Sequence, residues 1–463
     1  MAQGTETKLD PTVRRAIAAL IVGGIAAILD STMVTLAIHT LSADLHVDSG
    51  AIQWVTTGYL LALAIAVPLT GWAESRWGGK RVWIAALLIF VVGSILCATA
   101  WDAGSLIAFR VVQGFGGGLI MPLMQTLAVR AAGGQVTSRL MATVSLPIAL
   151  GPILGPVVGG VILTWLSWRW LFLVNVPLIA VGLILARRFL PDDRPVPGTA
   201  RMRLDIVGLL LLAPGLASVL WGLSQLAEDG GIAHPDVWGP LAAGVALLVA
   251  FGFWATRSGN GSPIVDIRLL RLRSLLTASS VLFTSGAVLY AAMFLLPLSF
   301  QEIRGMSPLD AGLMLIPQGI GALAARFVVG ALVDRFGARL VTTSSFVLAA
   351  LATVPFAYAD QNTSLWWLGA VLLVRGFAIG ALMIPAMAGA YQDVPREGIP
   401  HATMNTRILQ QVGASFGTAI VAVVLQGAMD RGAVDAFHTA FWWAVGMCIA
   451  ALIPAFALPA KRR

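Results

Sequence analysis

The sequence predicts an all-α integral membrane protein: two six-helix halves with two additional central helices between them, fourteen transmembrane helices in all, and both termini cytoplasmic. Three observations lead there. Of the 463 residues, 58% are hydrophobic and 11% charged, and the mean hydropathy is +0.86, far more apolar than a soluble core requires. Apolar blocks of 18 to 25 residues recur along the chain, the length a helix needs to cross a bilayer. A soluble chain of this size would instead divide into domains joined by polar linkers. Finally, the basic residues fall almost wholly on one side of the resulting layout.

With about 20 residues per helix as the ruler, spans are expected near 16–38, 51–72, 82–100, 105–127, 140–163 and 169–187. Two more follow near 206–226 and 237–256, then six near 276–299, 309–330, 340–359, 365–391, 402–427 and 438–459. The chain thus divides into a first half (1–190), a linker carrying two extra helices (191–274) and a second half (275–463). An even number of spans puts both termini and every second loop on one face. That face collects 23 of the 30 Lys and Arg residues, the other only Arg304 and Arg431, and Arg110, Arg169, Arg326, Arg375 and Arg407 lie in or at the ends of spans. This asymmetry orients the termini to the cytoplasm. The polar start MAQGTETKLDPTVRR runs into a full-length span without a small-residue cleavage site, which argues against a removed signal peptide.

Several function classes are disfavoured. The net charge of +8 is spread over short loops rather than one basic face, so nucleic acid is not an expected partner. Cys97 and Cys448 each sit inside an apolar block and supply neither a disulfide framework nor a zinc site. His39, His46, His234, His401 and His438 fall in loops or at span ends without metal-ligand spacing, and no phosphate-binding loop of the Walker type occurs. The expectation is a carrier rather than an enzyme, without metal or cofactor, energised by an ion gradient rather than by ATP. Arginine outnumbers lysine 27 to 3, a bias of GC-rich bacterial genes that points to a bacterial plasma (inner) membrane.

An internal repeat is visible. GWAESRWGGKRV (71–82) and GALVDRFGARLV (330–341) align without gaps, matching Gly71 with Gly330, Arg76 with Arg335, Gly78 with Gly337 and Lys80 with Arg339. Both follow an apolar span into a cytoplasmic loop. Two parallel halves with a substrate path between them near the midplane are the implied arrangement. The copies lie eight spans apart rather than six, so the helices near 206–226 and 237–256 are read as an insertion outside the path. Glycine in these loops allows close helix approach, and Arg76 and Lys80 are placed to pair with carboxylates in one conformation only. The second copy has Asp334 before its arginine, whereas the first has Ser75 there and Glu74 one place earlier.

GPILGPVVGG (151–160) places Gly151, Pro152, Gly155, Pro156, Gly159 and Gly160 in the fifth span. Small residues permit tight helix packing, and the prolines are expected to interrupt the helix. These loop and fifth-span motifs resemble the signatures of the major facilitator superfamily, the fifth-span pattern being that of its antiporter branches. LDSTMVTLAIHTL (29–41), QWVTTGYLLA (53–62), FRVVQGFGGGLIMP (109–122), SWRWLFLVNVPL (167–178), LDIVGLLLL (204–212), PIVDIRLLRLRS (263–274), QEIRGMSPLDAGLMLIPQG (301–319) and RILQQVGASFG (407–417) resemble its fourteen-span drug:proton antiporters. Where that family usually has asparagine and proline, this chain has Thr35 and His39. The resemblance implies a major-facilitator fold and multidrug efflux conferring antibiotic resistance.

Asp30 is the only acidic residue well inside the first span, where a charge is costly unless it is used. Arg110 lies at a similar depth in the fourth span. Burial favours the neutral acid and a neighbouring cation the carboxylate, so moving that cation between conformations would load and release a proton. The resemblance likewise implies Asp30 as the coupling acid and Arg110 as its helper. Trp54, Tyr59, Gln113, Asn175, Gln318 and Arg375 are candidate cavity residues; Arg326 and Arg407 lie close enough to helix ends to snorkel. One proton crossing about 100 mV yields about 2.3 kcal/mol, which supports roughly a 50-fold gradient of a neutral solute at tenfold per 1.4 kcal/mol. The expected function is proton-coupled export of lipophilic drugs or antibiotics, cations among them, with small-molecule substrate, protons and bilayer as partners and a monomer as the working unit. A dedicated exporter of an endogenous metabolite, lipid or self-made antibiotic is the alternative, and a non-transporting receptor or scaffold a more distant one.

Overall fold

Lipid leaves the backbone no outside hydrogen-bonding partner, so each spanning segment must satisfy its N–H and C=O groups internally. The computed structural model describes residues 11–47, 49–67, 69–131, 146–192, 204–228, 235–257, 267–390 and 399–458, and among them no strand occurs. The first half comprises α1 (Pro11–Leu36), α2 (Ile38–Leu45), α3 (Ser49–Ile52), α4 (Trp54–Ala66), α5 (Leu69–Trp77), α6 (Gly79–Ala98), α7 (Ala103–Ala131), α8 (Leu146–Trp165), α9 (Trp170–Leu173) and α10 (Asn175–Phe189). Then come α11 (Ile206–Glu228) and α12 (Pro235–Thr256). The second half comprises α13 (Arg273–Glu302), α14 (Pro308–Met314), α15 (Ile316–Phe336), α16 (Ala338–Thr353), α17 (Leu365–Ala390), α18 (Ile399–Ala428), α19 (Ala433–Ala450) and α20 (Leu452–Phe456).

Every apolar segment expected from the sequence carries helix, with ends displaced by a few residues. Among the described residues, eleven helices are long and apolar enough to cross a membrane, or twelve when α4 and α5, bent by 50° to each other, count as one. The remaining two segments contribute the shorter apolar stretches Leu154–Trp165 and Ile206–Gly222. The interruption expected from Pro152 and Pro156 is not found: Leu146–Trp165 is one unbroken helix. Prolines are tolerated in spanning helices when neighbouring helices support the freed backbone groups, and α8 lies against α1 along its length.

The packing repeats between halves. α7 lies against α4 and α6, as α17 does against α15 and α16, while α1 pairs with α8 as α13 does with α18. The loop copies share an unusual backbone: Gly78 has φ 84° and ψ 149°, and Gly337 has φ 85° and ψ 156°. A side chain is strained at such positive φ, which accounts for glycine at both matched positions. α11 and α12 pack chiefly on each other, and α11 touches α4 and α18 at the side of the bundle.

The halves meet at the face reached by the C-terminal ends of α1, α8 and α13. There Gln301 Nε2 donates to the Leu36 carbonyl at 3.1 Å, and His39 Nε2 lies 3.6 Å from Glu302 Oε1. One buried apolar cluster unites Leu36, Leu41 and Ile162 with Phe294, Phe300 and Leu315. The molecule is closed at this face.

Candidate functional site

An ionised side chain within a lipid-embedded bundle needs a partner and hydrogen bonds for its remaining polar atoms. Asp30, on α1, is fully buried, and so is Arg110, on α7. Arg110 Nη1 reaches Asp30 Oδ2 at 2.5 Å and Gln113 Oε1 at 2.6 Å, while Arg110 Nε donates to the Val55 carbonyl at 3.1 Å. The other carboxylate oxygen, Oδ1, accepts from Gln113 Nε2 and Asn175 Nδ2, each at 2.9 Å. Ser94 Oγ closes the set, accepting from Gln113 Nε2 at 2.7 Å and Asn175 Nδ2 at 3.4 Å. The Tyr59 ring covers the guanidinium at 4.0 Å, a cation–π contact that strengthens when water is excluded. Five helices, α1, α4, α6, α7 and α10, thus supply one connected cluster.

Glycines set its spacing. A Cβ at Gly93 would stand 2.6 Å from the Gln113 Cα, and one at Gly114 would stand 2.5 Å from the Tyr59 carbonyl oxygen. Neither backbone could yield locally, so α6, α7 and α4 approach closely only because these positions are glycine.

Tyr59, Gln113 and Asn175, expected along a substrate cavity, are therefore brought to Asp30 and Arg110. Trp54 is elsewhere, packed against Trp221 of α11 with 5.7 Å between ring centres and the rings inclined at 46°. Gln318 and Arg375 form a counterpart in the second half: the buried Arg375 donates from Nε to Thr353 Oγ1 at 3.1 Å, from Nη1 to Gln318 Oε1 at 3.0 Å and from Nη2 to the Val288 carbonyl at 3.4 Å. Gln318 and Thr353 stand 259 positions after Tyr59 and Ser94, the spacing that also separates Gly78 from Gly337. Among the described residues, no carboxylate lies within ion-pair distance of Arg375. The two polar clusters are structurally matched and electrically unequal.

Sequence reasoning missed Ser94 and Thr353, although the spacing of the loop repeat, carried into the third span of each half, leads from one hydroxyl to the other. It also missed Tyr290 of α13, which lies beside Ser31 of α1 and so brings the second half next to the neighbour of Asp30.

Residues 20–418 match the model of the Major Facilitator Superfamily. The chain belongs to this superfamily of transporters. It is 37% identical over 423 residues, covering 90% of this chain and 77% of the relative, to the "Multidrug resistance protein B homolog" of Mycobacterium tuberculosis. A "Putative multidrug resistance protein MdtD" of Serratia proteamaculans is 32% identical over 443 residues, covering 93% and 89%. Among solved structures, the nucleoside transporter NupG is similar with a TM-score of 0.69 at 14% identity, covering 96% of this chain and 99% of that one. A bacterial homologue of the human lysosomal transporter Spinster gives 0.66 at 13% identity, covering 99% and 100%. These structures share the fold of this major facilitator protein, a multi-pass membrane transporter.

Within that fold, Glu74 takes the place of the acid missing at Ser75. Its carboxylate pairs with Arg130, at the end of α7, at 2.8 Å, while the Ser75 hydroxyl turns back to the Trp72 carbonyl at 2.8 Å. Lys80 pairs with Asp192 beyond α10 at 3.0 Å. Arg76, Asp334 and Arg335 are exposed. The expectation that the loop glycines serve close helix approach fails at Gly330, where an added Cβ would meet nothing within 4 Å. The second-half helices are not in tight contact there, and the glycine that matters for geometry is Gly337.

The fifth-span glycines divide their work between the halves. Cβ atoms at Gly151 and Gly155 would run into Ile28 and Thr32, and one at Gly159 would come to 3.2 Å from Met33. The Thr32 hydroxyl, two residues from Asp30, donates to the Gly151 carbonyl at 3.3 Å. Gly160 instead faces the second half: its Cβ would stand 2.7 Å from the Leu309 Cα and 2.9 Å from the Pro308 carbonyl oxygen.

Proposed function

We propose that this transporter is a proton-coupled exporter of lipophilic drugs or antibiotics, cations among them, in the bacterial plasma membrane. In this reading it has fourteen spans with both termini in the cytoplasm, and the proton gradient is its energy source, with no cofactor. The observation that carries the reading is the carboxylate of Asp30, buried at membrane depth and met on both oxygens by donors from α7 and α10. An ionised carboxylate is acceptor-only, and protonating Asp30 turns one of its oxygens into a donor. Arg110, Gln113 or Asn175 must then withdraw. Proton binding thereby rearranges α7 or α10 against α1, and α1 carries the change through Thr32 to α8 and through Ser31 to Tyr290 in the other half.

Similarity to proteins named for multidrug resistance supports export of foreign compounds. The excess of Lys and Arg on one set of loops supports the orientation. The test is efflux of a fluorescent lipophilic cation from cells or proteoliposomes carrying the protein. Efflux that follows an imposed proton gradient and stops on adding an uncoupler is the expected result. A protein that moves no cation under any gradient refutes cation export and directs the search to neutral, anionic and endogenous substrates.

A further inference from the structure

Beside the polar cluster, but opening away from it, lies a cavity of about 700 Å³ between α4, α7 and α11. Its walls are Gly58, Leu61 and Ile65 of α4, Ile107 and Val111 of α7, and Ala217 of α11, and none of these side chains can hydrogen-bond. Such a chamber holds water poorly: buried water needs polar partners, and apolar cavities stay dry. It is not sealed within the protein, because Val111 is 44% exposed and Trp221 52% exposed on the outward surface of the bundle, which in a membrane faces hydrocarbon.

The dimensions and the two ends of the cavity point to its occupant. Along α4 it runs from Trp54 to Ile65, about 17 Å at 1.5 Å per residue, close to one leaflet of a hydrocarbon core about 30 Å thick. One end bears the contacting Trp54 and Trp221 and the amide of Gln225, the amphipathic combination that settles at headgroup level. The other end, at Ile65, Ala213 and Pro214, is apolar. We propose that this cavity is a site for one acyl chain of a membrane phospholipid, inserted between the six-helix half and α11, with the Trp54–Trp221 pair at the level of the glycerol esters. The chain then fills the space that α11, which reaches the bundle mainly through α18, leaves open against α4 and α7. The assignment does not depend on which solute the protein transports.

Reconstitution of the full chain in liposomes containing a phosphatidylglycerol with a photoreactive diazirine in mid-chain tests the site. After illumination, peptide mapping is expected to find labels on Leu61, Ala62 and Ala217 at least fivefold above the label on Phe253, which at 74% exposure reports ordinary contact with bulk lipid. Two filling substitutions, Gly58→Leu and Ala217→Phe, are expected to reduce the cavity label to the Phe253 level and leave the Phe253 label unchanged. A Cβ at Gly58 meets Val111 and Ile107 at 3.5 and 3.6 Å, ordinary van der Waals distances, so the substitution is accommodated without displacing backbone. Cavity labelling equal to that of Phe253 in the wild type, or unaffected by both substitutions, overturns the proposal. So does labelling by a photoreactive lipophilic cation in place of the phospholipid, which makes the cavity a solute vestibule. Should Ala217→Phe not fold, Gly58→Leu and the wild-type comparison decide the matter.

Discussion

Replacing Asp30 by asparagine preserves the shape of the side chain and removes its charge. In the structure Asp30 accepts from Arg110 Nη1, Gln113 Nε2 and Asn175 Nδ2. An asparagine there can offer its single oxygen to one side of this set, and its own N–H groups then face donors. Arg110 keeps the Val55 carbonyl and Gln113 Oε1 but loses its only counter-charge among the described residues. Removing one member of a buried ion pair costs about 3–5 kcal/mol, whereas replacing both by neutral groups is often close to neutral. Asp30→Asn is therefore expected to lower stability by that amount, and Asp30→Asn combined with Arg110→Gln to recover most of it. Both variants are expected to lose uncoupler-sensitive efflux, because neither carries a proton-binding carboxylate. Unfolding of purified protein in detergent, read by intrinsic fluorescence, measures the first effect, and cation efflux with and without uncoupler measures the second. Gradient-driven efflux by Asp30→Asn would refute coupling through this residue. A single variant as stable as the wild type would refute the energetic account of the pair.

Arg375 offers the contrast. Arg375→Gln leaves no carboxylate stranded, so its stability loss should be smaller by about 2 kcal/mol or more than that of Arg110→Gln, which strands Asp30; equal losses by the same unfolding measurement would count against the inequality of the two clusters. Gly160→Val drives a side chain into the backbone at Pro308 and Leu309, where no flexible side chain can yield. Overpacking of about 1–3 kcal/mol would bias the conformational equilibrium about 5- to 150-fold away from closure at that face. Spin labels at the exposed Trp101 and Trp366 should then show longer distances, and an unchanged distribution would contradict the close contact. In the loop between α16 and α17, hydrogen bonding from Thr363 foremost, and from the Asn362 and Thr363 amides, holds the Asp360 carboxyl below the ordinary carboxylate range. A depressed folded-state value means that the contribution is present above the unfolded value of about 3.9 and is lost as pH falls through the folded one. Asp360→Ala should accordingly speed amide exchange at Asn362 and Thr363 near pH 7, and the difference should vanish once the carboxyl is protonated.

Much of this protein could be read from its sequence because lipid imposes a strict code. Every spanning segment must be helical and apolar over a fixed length, so the apolar helices could be placed to within a few residues. The loop repeat was equally legible, since the positive φ at Gly78 and Gly337 leaves little freedom in residue type. The intramembrane charges Asp30 and Arg110 stood out because hydrocarbon makes such residues rare.

What the sequence alone did not contain was which polar groups meet. Gln113 and Asn175 were visible as polar side chains but not as partners of Asp30, and Ser94 and Thr353 were not visible as site residues. Their roles depend on how helices distant in sequence are rotated and how closely they approach, as at Gly93 and Gly114. The same holds for the acid of the first loop, where the reach of Glu74 to Arg130 replaces a partner that Ser75 cannot supply. Helix formation is decided by each segment and its solvent, but the pairing of buried charges is decided between segments, by packing contacts that only the assembled bundle supplies.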